Sequence, residues 1–158
     1  MGYTNFNLKK GVILMIEKDT IRLLRECDAG IKMGISSIDD VLDRVTENQF
    51  LQLLKTCKED HKQLEKEIRC CLDRFGDDGK APNPIAKGMS WMKTTVKLGL
   101  EESDATVADL MTDGCNMGVK SLNKYLNQYK AADEKSKNLT KQLIALEEQL
   151  AADIRQFL

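Results

Sequence analysis

The single histidine of the chain, His61, stands where an apolar residue is due. Phe50, Leu54, Cys57, His61, Leu64, Ile68, Cys71 and Phe75 follow one another in steps of three and four, which marks one side of a helix. Asp28 interrupts a second such series, Ile21, Leu24, Ile31, Ile35, Ile38, Leu42 and Val45. A carboxylate facing an apolar interior costs several kcal/mol unless a partner relieves it. An imidazole and a carboxylate placed in this way can do two kinds of chemistry. They can bond to each other and fix the register of two helices. With further carboxylates they can hold a divalent ion, iron or manganese being suited to nitrogen and oxygen donors. The candidate ligands are Asp28, His61, Glu65, Asp113 and Glu147, with Glu26 an alternative to Asp28 and Glu148 an alternative to Glu147. Cys57 precedes His61 by one helical turn, but a thiol and imidazole both on the inward stripe lack substrate access.

These side chains must be positioned by long helices. The first is expected from about Glu17 to about Arg44, and the second to about Phe75, with Thr46 and Gln49 spaced as a capping box at its start. If the chain turns near residue 45, Asp28 and His61 lie at nearly the same level and are expected to meet. Residues 76 to 84, Gly-Asp-Asp-Gly-Lys-Ala-Pro-Asn-Pro, contain the chain's two prolines and break the helical pattern. A shorter helix is expected over 85–98. A third long helix starts at Ser103 or Asp104 with the stripe Ala108, Met111, Cys115, Val119, Leu122, Leu126 and Tyr129. A fourth runs from about Asp133 to the end, carrying Leu139, Leu143, Leu146, Leu150, Ile154 and Phe157 inward. Residues 1–16 show no clear periodicity and read as an N-terminal arm.

The chain also repeats itself. Met33-Gly-Ile-Ser-Ser-Ile-Asp-Asp-Val-Leu-Asp43 returns as Met117-Gly-Val-Lys-Ser-Leu-Asn-Lys-Tyr-Leu-Asn127, with identity or close chemistry at most places. Leu64-Glu65 to Phe75 has a fainter echo in Leu146-Glu147 to Phe157. The halves are thus expected to be two copies of one helical hairpin. The organisation that follows is hairpin one at 17–76, a crossover at 77–102 and hairpin two at 103–158, together one domain.

Composition narrows the function classes. Charged residues make up 31% of the 158 and nearly cancel to a net charge of −1, so no general field draws the chain to nucleic acid or anionic lipid. Lys80, Lys87, Lys93 and Lys97 beside Trp91 read as the solvated face of a helix. No segment approaches the roughly 18 apolar residues of a membrane span. Five cysteines, an odd number with no Cys-x-x-Cys pair, fit reduced thiols and a cytoplasmic location.

Two repeated hairpins joined by a long crossover make an all-α, ferritin-like four-helix bundle. The stretches Glu26-Cys-Asp-Ala-Gly-Ile-Lys-Met-Gly34, Pro82-Asn-Pro-Ile-Ala-Lys-Gly-Met-Ser-Trp91 and Thr112-Asp-Gly-Cys-Asn-Met-Gly-Val-Lys-Ser121 resemble a clostridial-type family of uncharacterised ferritin-like proteins. The resemblance spans nearly the whole chain from about Thr20, and it implies the fold and a homo-oligomer without implying a mechanism. Against the ferritin di-iron pattern the chain departs at two places: Lys58 stands where a glutamate precedes the histidine, and helix four has no histidine. The expected class is therefore a non-catalytic binding or interaction protein with a degenerate metal site. The alternative is a metal-dependent oxidoreductase or iron-handling protein.

Overall fold

The computed structural model describes residues 2–82 and 101–158, with side chains from Asn5 onward. The described residues form four α-helices and no strand: α1 Gly2–Val41, α2 Asn48–Asp73, α3 Asp104–Gln128 and α4 Glu134–Asp153, which tightens into a 3₁₀ turn over Ile154–Phe157. The helix expected over 85–98 lies outside the described residues. None of the described helices is long and apolar enough to cross a membrane.

The helices pair as α1 with α2 and α3 with α4, and α2 also lies along α4. At the upper end, the Asp104 carboxylate of α3 accepts hydrogen bonds from the Thr46 amide, the Thr46 hydroxyl and the Glu47 amide at 2.8–3.1 Å. It thereby does the work expected of the Thr46–Gln49 capping box. The residue at the start of α2 is Glu47, whose own side chain makes no capping bond. Slight burial tends to raise the Asp104 pKa, but the hydrogen bonds from Thr46 and Glu47 prevail and hold it below the ordinary carboxylate value. At the lower end, the amides of Ala131 and Asp133 donate to the side chains of Asp19 and Thr20. Thus α3 starts beside the α1–α2 turn, at the opposite end from where α2 finishes, and α2 and α3 run in the same direction.

Helix capping follows local chemistry in the second hairpin. The Ser103 hydroxyl accepts from the Thr106 amide and the Asp133 carboxylate from the Ser136 amide, satisfying donors that a helix start leaves free. The interior divides into two apolar clusters. The upper one gathers Ile38, Val41, Phe50, Leu54, Val107, Met111, Leu150 and Ile154, with Phe50 stacked on Phe157 at 4.4 Å between ring centres. The lower one gathers Leu24, Ile31, Leu64, Ile68, Leu72, Leu122, Leu139 and Leu143. His61 follows Leu54 and precedes Leu64 along α2, so it falls between the two clusters.

Asp28 is fully buried, as its place in the stripe requires, but its partners are not those expected. Its Oδ2 accepts from Lys32 Nζ at 2.6 Å and from the Lys80 amide at 2.9 Å, with Arg69 at 3.8 Å. His61 is not among them. The expected level was too low because the non-helical residues after α1 rise further per residue than helical ones. The register that results sets Asp39 against Lys58 and Asp28 against Arg69. Asp28 instead fastens the turn that follows α2. Gly76 and Gly79 adopt φ of 63° and 83° there, a region that side chains rarely enter. The Gly79 amide donates to Asp77 and Arg69 donates to the Asp78 carbonyl. A Cβ on Gly79 would run into Asp28 and Arg69, whereas one on Gly76 would meet open space. Gly76→Ala should therefore cost about 1 kcal/mol, and Gly79→Ala about 3 kcal/mol, in urea unfolding. Equal losses would show that Asp28 does not hold the turn.

Candidate functional site

The buried polar pair at the centre of the bundle is His61 with Glu147. His61 Nε2 donates to Glu147 Oε1 at 3.0 Å, tying α2 to α4. His61 Nδ1 donates to the Cys57 carbonyl at 2.9 Å, one turn back along α2, with the Cys57 sulfur at 3.4 Å. Both ring nitrogens thus face acceptors, a geometry that calls for two protons and an imidazolium. Burial is the largest single influence on this pKa and pulls it down. The contacts with Cys57 and Glu147 together outweigh it and carry the pKa from 6.5 up to about 10.

Two neighbours complete the centre. Cys115, on α3, has its thiol pKa pushed up by burial and by the Glu147 carboxylate beside it, so it stays protonated and inert. Gly34 of α1 faces the pair closely: a Cβ there would lie 3.1 Å from His61 Cδ2 and 3.4 Å from Glu147 Oε1. Gly118 of α3 faces the same carboxylate, with a Cβ placed 3.7 Å from it. Gly34 and Gly118 are equivalent residues of the two repeated stretches, and they reach the one carboxylate from different helices.

Beside this pair lies a cavity of about 450 Å³ between α1 and α3. Its α1 wall is Ala29, Gly30, Met33, Gly34 and Ser37, and its α3 wall is Met111, Gly114, Gly118, Ser121 and Tyr125. Small residues on both walls keep the two helices from closing the space with side chains. His61 and Glu147 lie at one end, and Glu26 and Lys80 at the other, where Lys80 Nζ donates to Glu26 at 2.7 Å. Burial and the nearby Glu26 carboxylate raise the pKa of Tyr125.

Of the expected ligands, only His61 and Glu147 come together. Asp28 is engaged with Lys32, Arg69 and the Lys80 amide. Glu65 is half-buried, Asp113 is exposed, and Glu148 is exposed next to the inward Glu147. Glu26 turns to Lys80. Lys58, at the position of a bridging glutamate, pairs with Asp39. Among the described residues no three His, Cys, Asp or Glu side chains gather as a metal site would require. A di-iron centre does not fit this donor set, because its one imidazole already has an acceptor on each nitrogen. The Cys57–His61 contact does form, but an imidazolium cannot act as the base that a nucleophilic thiol needs.

The helical stripe places His61 inward, but it leaves Glu147 on the flank of α4 beside Leu146, whereas the structure buries Glu147 and leaves Leu146 half-buried. The union of His61 with Glu147 across α2 and α4, and the part played by Cys115, carried no signal in spacing. Gly30, Gly34, Gly114 and Gly118 line the cavity, although glycines inside helices read from sequence more readily as places of close helix packing. Comparison with family models, with curated proteins and with solved structures found no match.

Two outcomes follow from this geometry. A group whose pKa is raised on folding stabilises fully below its unfolded value of 6.5 and loses that contribution as pH climbs towards the folded value of about 10. Wild-type stability should fall by about 1.4 kcal/mol per pH unit between pH 6.5 and roughly 8.5, below the range where thiols add their own slope. His61→Asn should remove that slope; an equally steep slope in the variant would mean that another group titrates. The second outcome concerns the close approach at Gly34. Gly→Ala normally gains about 1 kcal/mol in a helix, and Gly30→Ala, with open space at its Cβ, should show that gain. Gly34→Ala should instead lose about 1 kcal/mol, because His61 is held at both nitrogens and cannot retreat. Thermal melts of the two variants would separate these cases.

Proposed function

We propose that the protein is a non-catalytic binding protein built on a ferritin-like bundle, with a small-molecule pocket where a metal centre would otherwise stand. The ferritin-like reading is supported by the shared direction of α2 and α3 and by the pairing of the helices into two hairpins. It is also supported by the equivalent glycines, Gly34 and Gly118, converging on Glu147. The His61–Glu147 pair is then the remnant of a metal site, reduced to a salt bridge.

The observation that carries the binding reading is the cavity of about 450 Å³, within the range of pockets that enclose small organic ligands. Its described lining combines methionines, leucines and glycines with Ser37, Ser121 and Tyr125, beside two charged stations. Each station is an ion pair, His61 with Glu147 and Lys80 with Glu26, so the charges of the described lining residues cancel. The ligand class this fits is an uncharged, largely apolar molecule with one or two hydrogen-bonding groups. A ligand N–H or O–H would meet the Glu147 carboxylate, and the methionines would adapt to its shape.

A neutral aromatic amine, N-phenyl-1-naphthylamine, is a suitable probe because its fluorescence rises in apolar surroundings. It should bind the full chain saturably at one site. Gly30→Leu directs a side chain into the cavity from a position where no described residue obstructs it. That variant should weaken probe binding at least tenfold while melting at the same temperature or higher, since leucine exceeds glycine in helix propensity by about 1 kcal/mol. Undiminished binding by Gly30→Leu would place the probe elsewhere and end the pocket reading.

A further inference from the structure

The first four turns of α1 run past the end of the bundle. The α3–α4 connection meets α1 at Asp19 and Thr20, and every described side chain from Asn5 to Lys18 is exposed. Yet this overhang is rich in large apolar residues: Phe6, Leu8, Val12, Ile13, Leu14 and Met15 are each more than half exposed, and Ile16 is 38% exposed. Together they present on the order of 700 Å² of apolar surface, close to what one partner contributes to a standard interface. Isolated monomers seldom expose a contiguous patch of this size.

Its pattern indicates what covers it. Residues 12–16 are apolar around the whole circumference, so the overhang lacks the continuous polar face with which a helix lies in a lipid surface. A helix apolar on all sides calls for cover on more than one. Phe6, Lys10, Ile13 and Glu17 recur at steps of four, three and four and share one side of the helix. Along that side, Lys10 and Glu17 stand at equal distances from a point between Ile13 and Leu14. Turned end for end, the side is therefore complementary to itself: base meets acid at both ends, with isoleucine in the middle. That is the requirement of an isologous two-fold contact.

We propose that the overhang is where two copies of this chain associate, antiparallel, about a two-fold axis near Ile13, with Lys10 of each copy against the partner's Glu17. The partner subunit offers both its overhang and the adjoining end of its bundle, giving cover on more than one side. The inference is independent of the pocket and of any ligand in it.

Sedimentation velocity on the full chain, from about 5 to about 200 μM, tests it. Wild type should be a dimer. Ile13→Glu, which sets carboxylate against carboxylate at the axis, should be a monomer with an unchanged helical circular dichroism spectrum. Lys10→Glu should raise the dissociation constant at least fivefold, and adding Glu17→Lys to it should restore the constant to within about twofold of wild type. A monomeric wild type overturns the proposal, and one that also sediments with phosphatidylglycerol vesicles assigns the overhang to lipid. A dimer that survives Ile13→Glu overturns it as well. So does failure of the double charge exchange to restore association, because the antiparallel register requires that rescue.

Discussion

The bundle depends on a charged contact in the middle of its apolar interior. His61 and Glu147 sit between two apolar clusters, joining α2 to α4 where neither helix has another buried polar group of the other within reach. Such a pair adds little net stability, since desolvation offsets most of the attraction. What it imposes is uniqueness. Sliding α2 along α4 by a single turn would bury a charge against leucine on each side, a penalty of several kcal/mol. The apolar clusters drive association of the helices, and the pair selects one register among those that apolar packing would accept.

The same constraint shapes the surrounding helices. An imidazole held at both nitrogens has no freedom to tilt, so α1 can approach only through a residue without a side chain, which is Gly34. On α3, Gly118 serves the same carboxylate with slightly more room. Along the cavity α1 and α3 face each other with glycines, serines and methionines, so the space opens where larger residues would have interlocked. Asp28 works differently. Its buried carboxylate takes an amide from the turn after α2 and a lysine from its own helix, so it anchors a loop to α1 and leaves the centre of the bundle to His61. At the top, Asp104 holds α3 against the α1–α2 connection.

Much of this architecture was legible in the residues. Four helices, the caps at Ser103 and Asp133 and the inward stripes all follow from three- and four-residue spacing and local hydrogen bonding. The two polar interruptions at Asp28 and His61 were visible for the same reason. Their partners were not, because partnership depends on register across a connection, and the extended residues after α1 displace one helix against the other by more than a turn. Lys32, one turn from Asp28, was a local partner that helical spacing alone allows. Asp113 and Glu65 fail as inward groups through helix phase: Met111 and Cys115 set the buried face of α3, and Asp113 points away from both. The overhang of α1 escaped periodicity because residues 12–16 are apolar on every side, which erases the signal that an amphipathic helix gives.

The glycines decide between a pocket kept open and a core left imperfect. A helical glycine costs about 1 kcal/mol relative to alanine, and close approach accounts for that cost at Gly34, where a Cβ would press on His61. It does not account for Gly30. There a methyl group would meet no described residue within 4 Å, so against these neighbours alanine would gain helix propensity without strain. Among the described residues neither packing nor propensity calls for glycine at that position. The lining of the cavity of about 450 Å³ makes fewer dispersion contacts with protein than it would with a large side chain at Gly30. A molecule bound there would supply those contacts, and Gly30 would then form part of the surface that meets it.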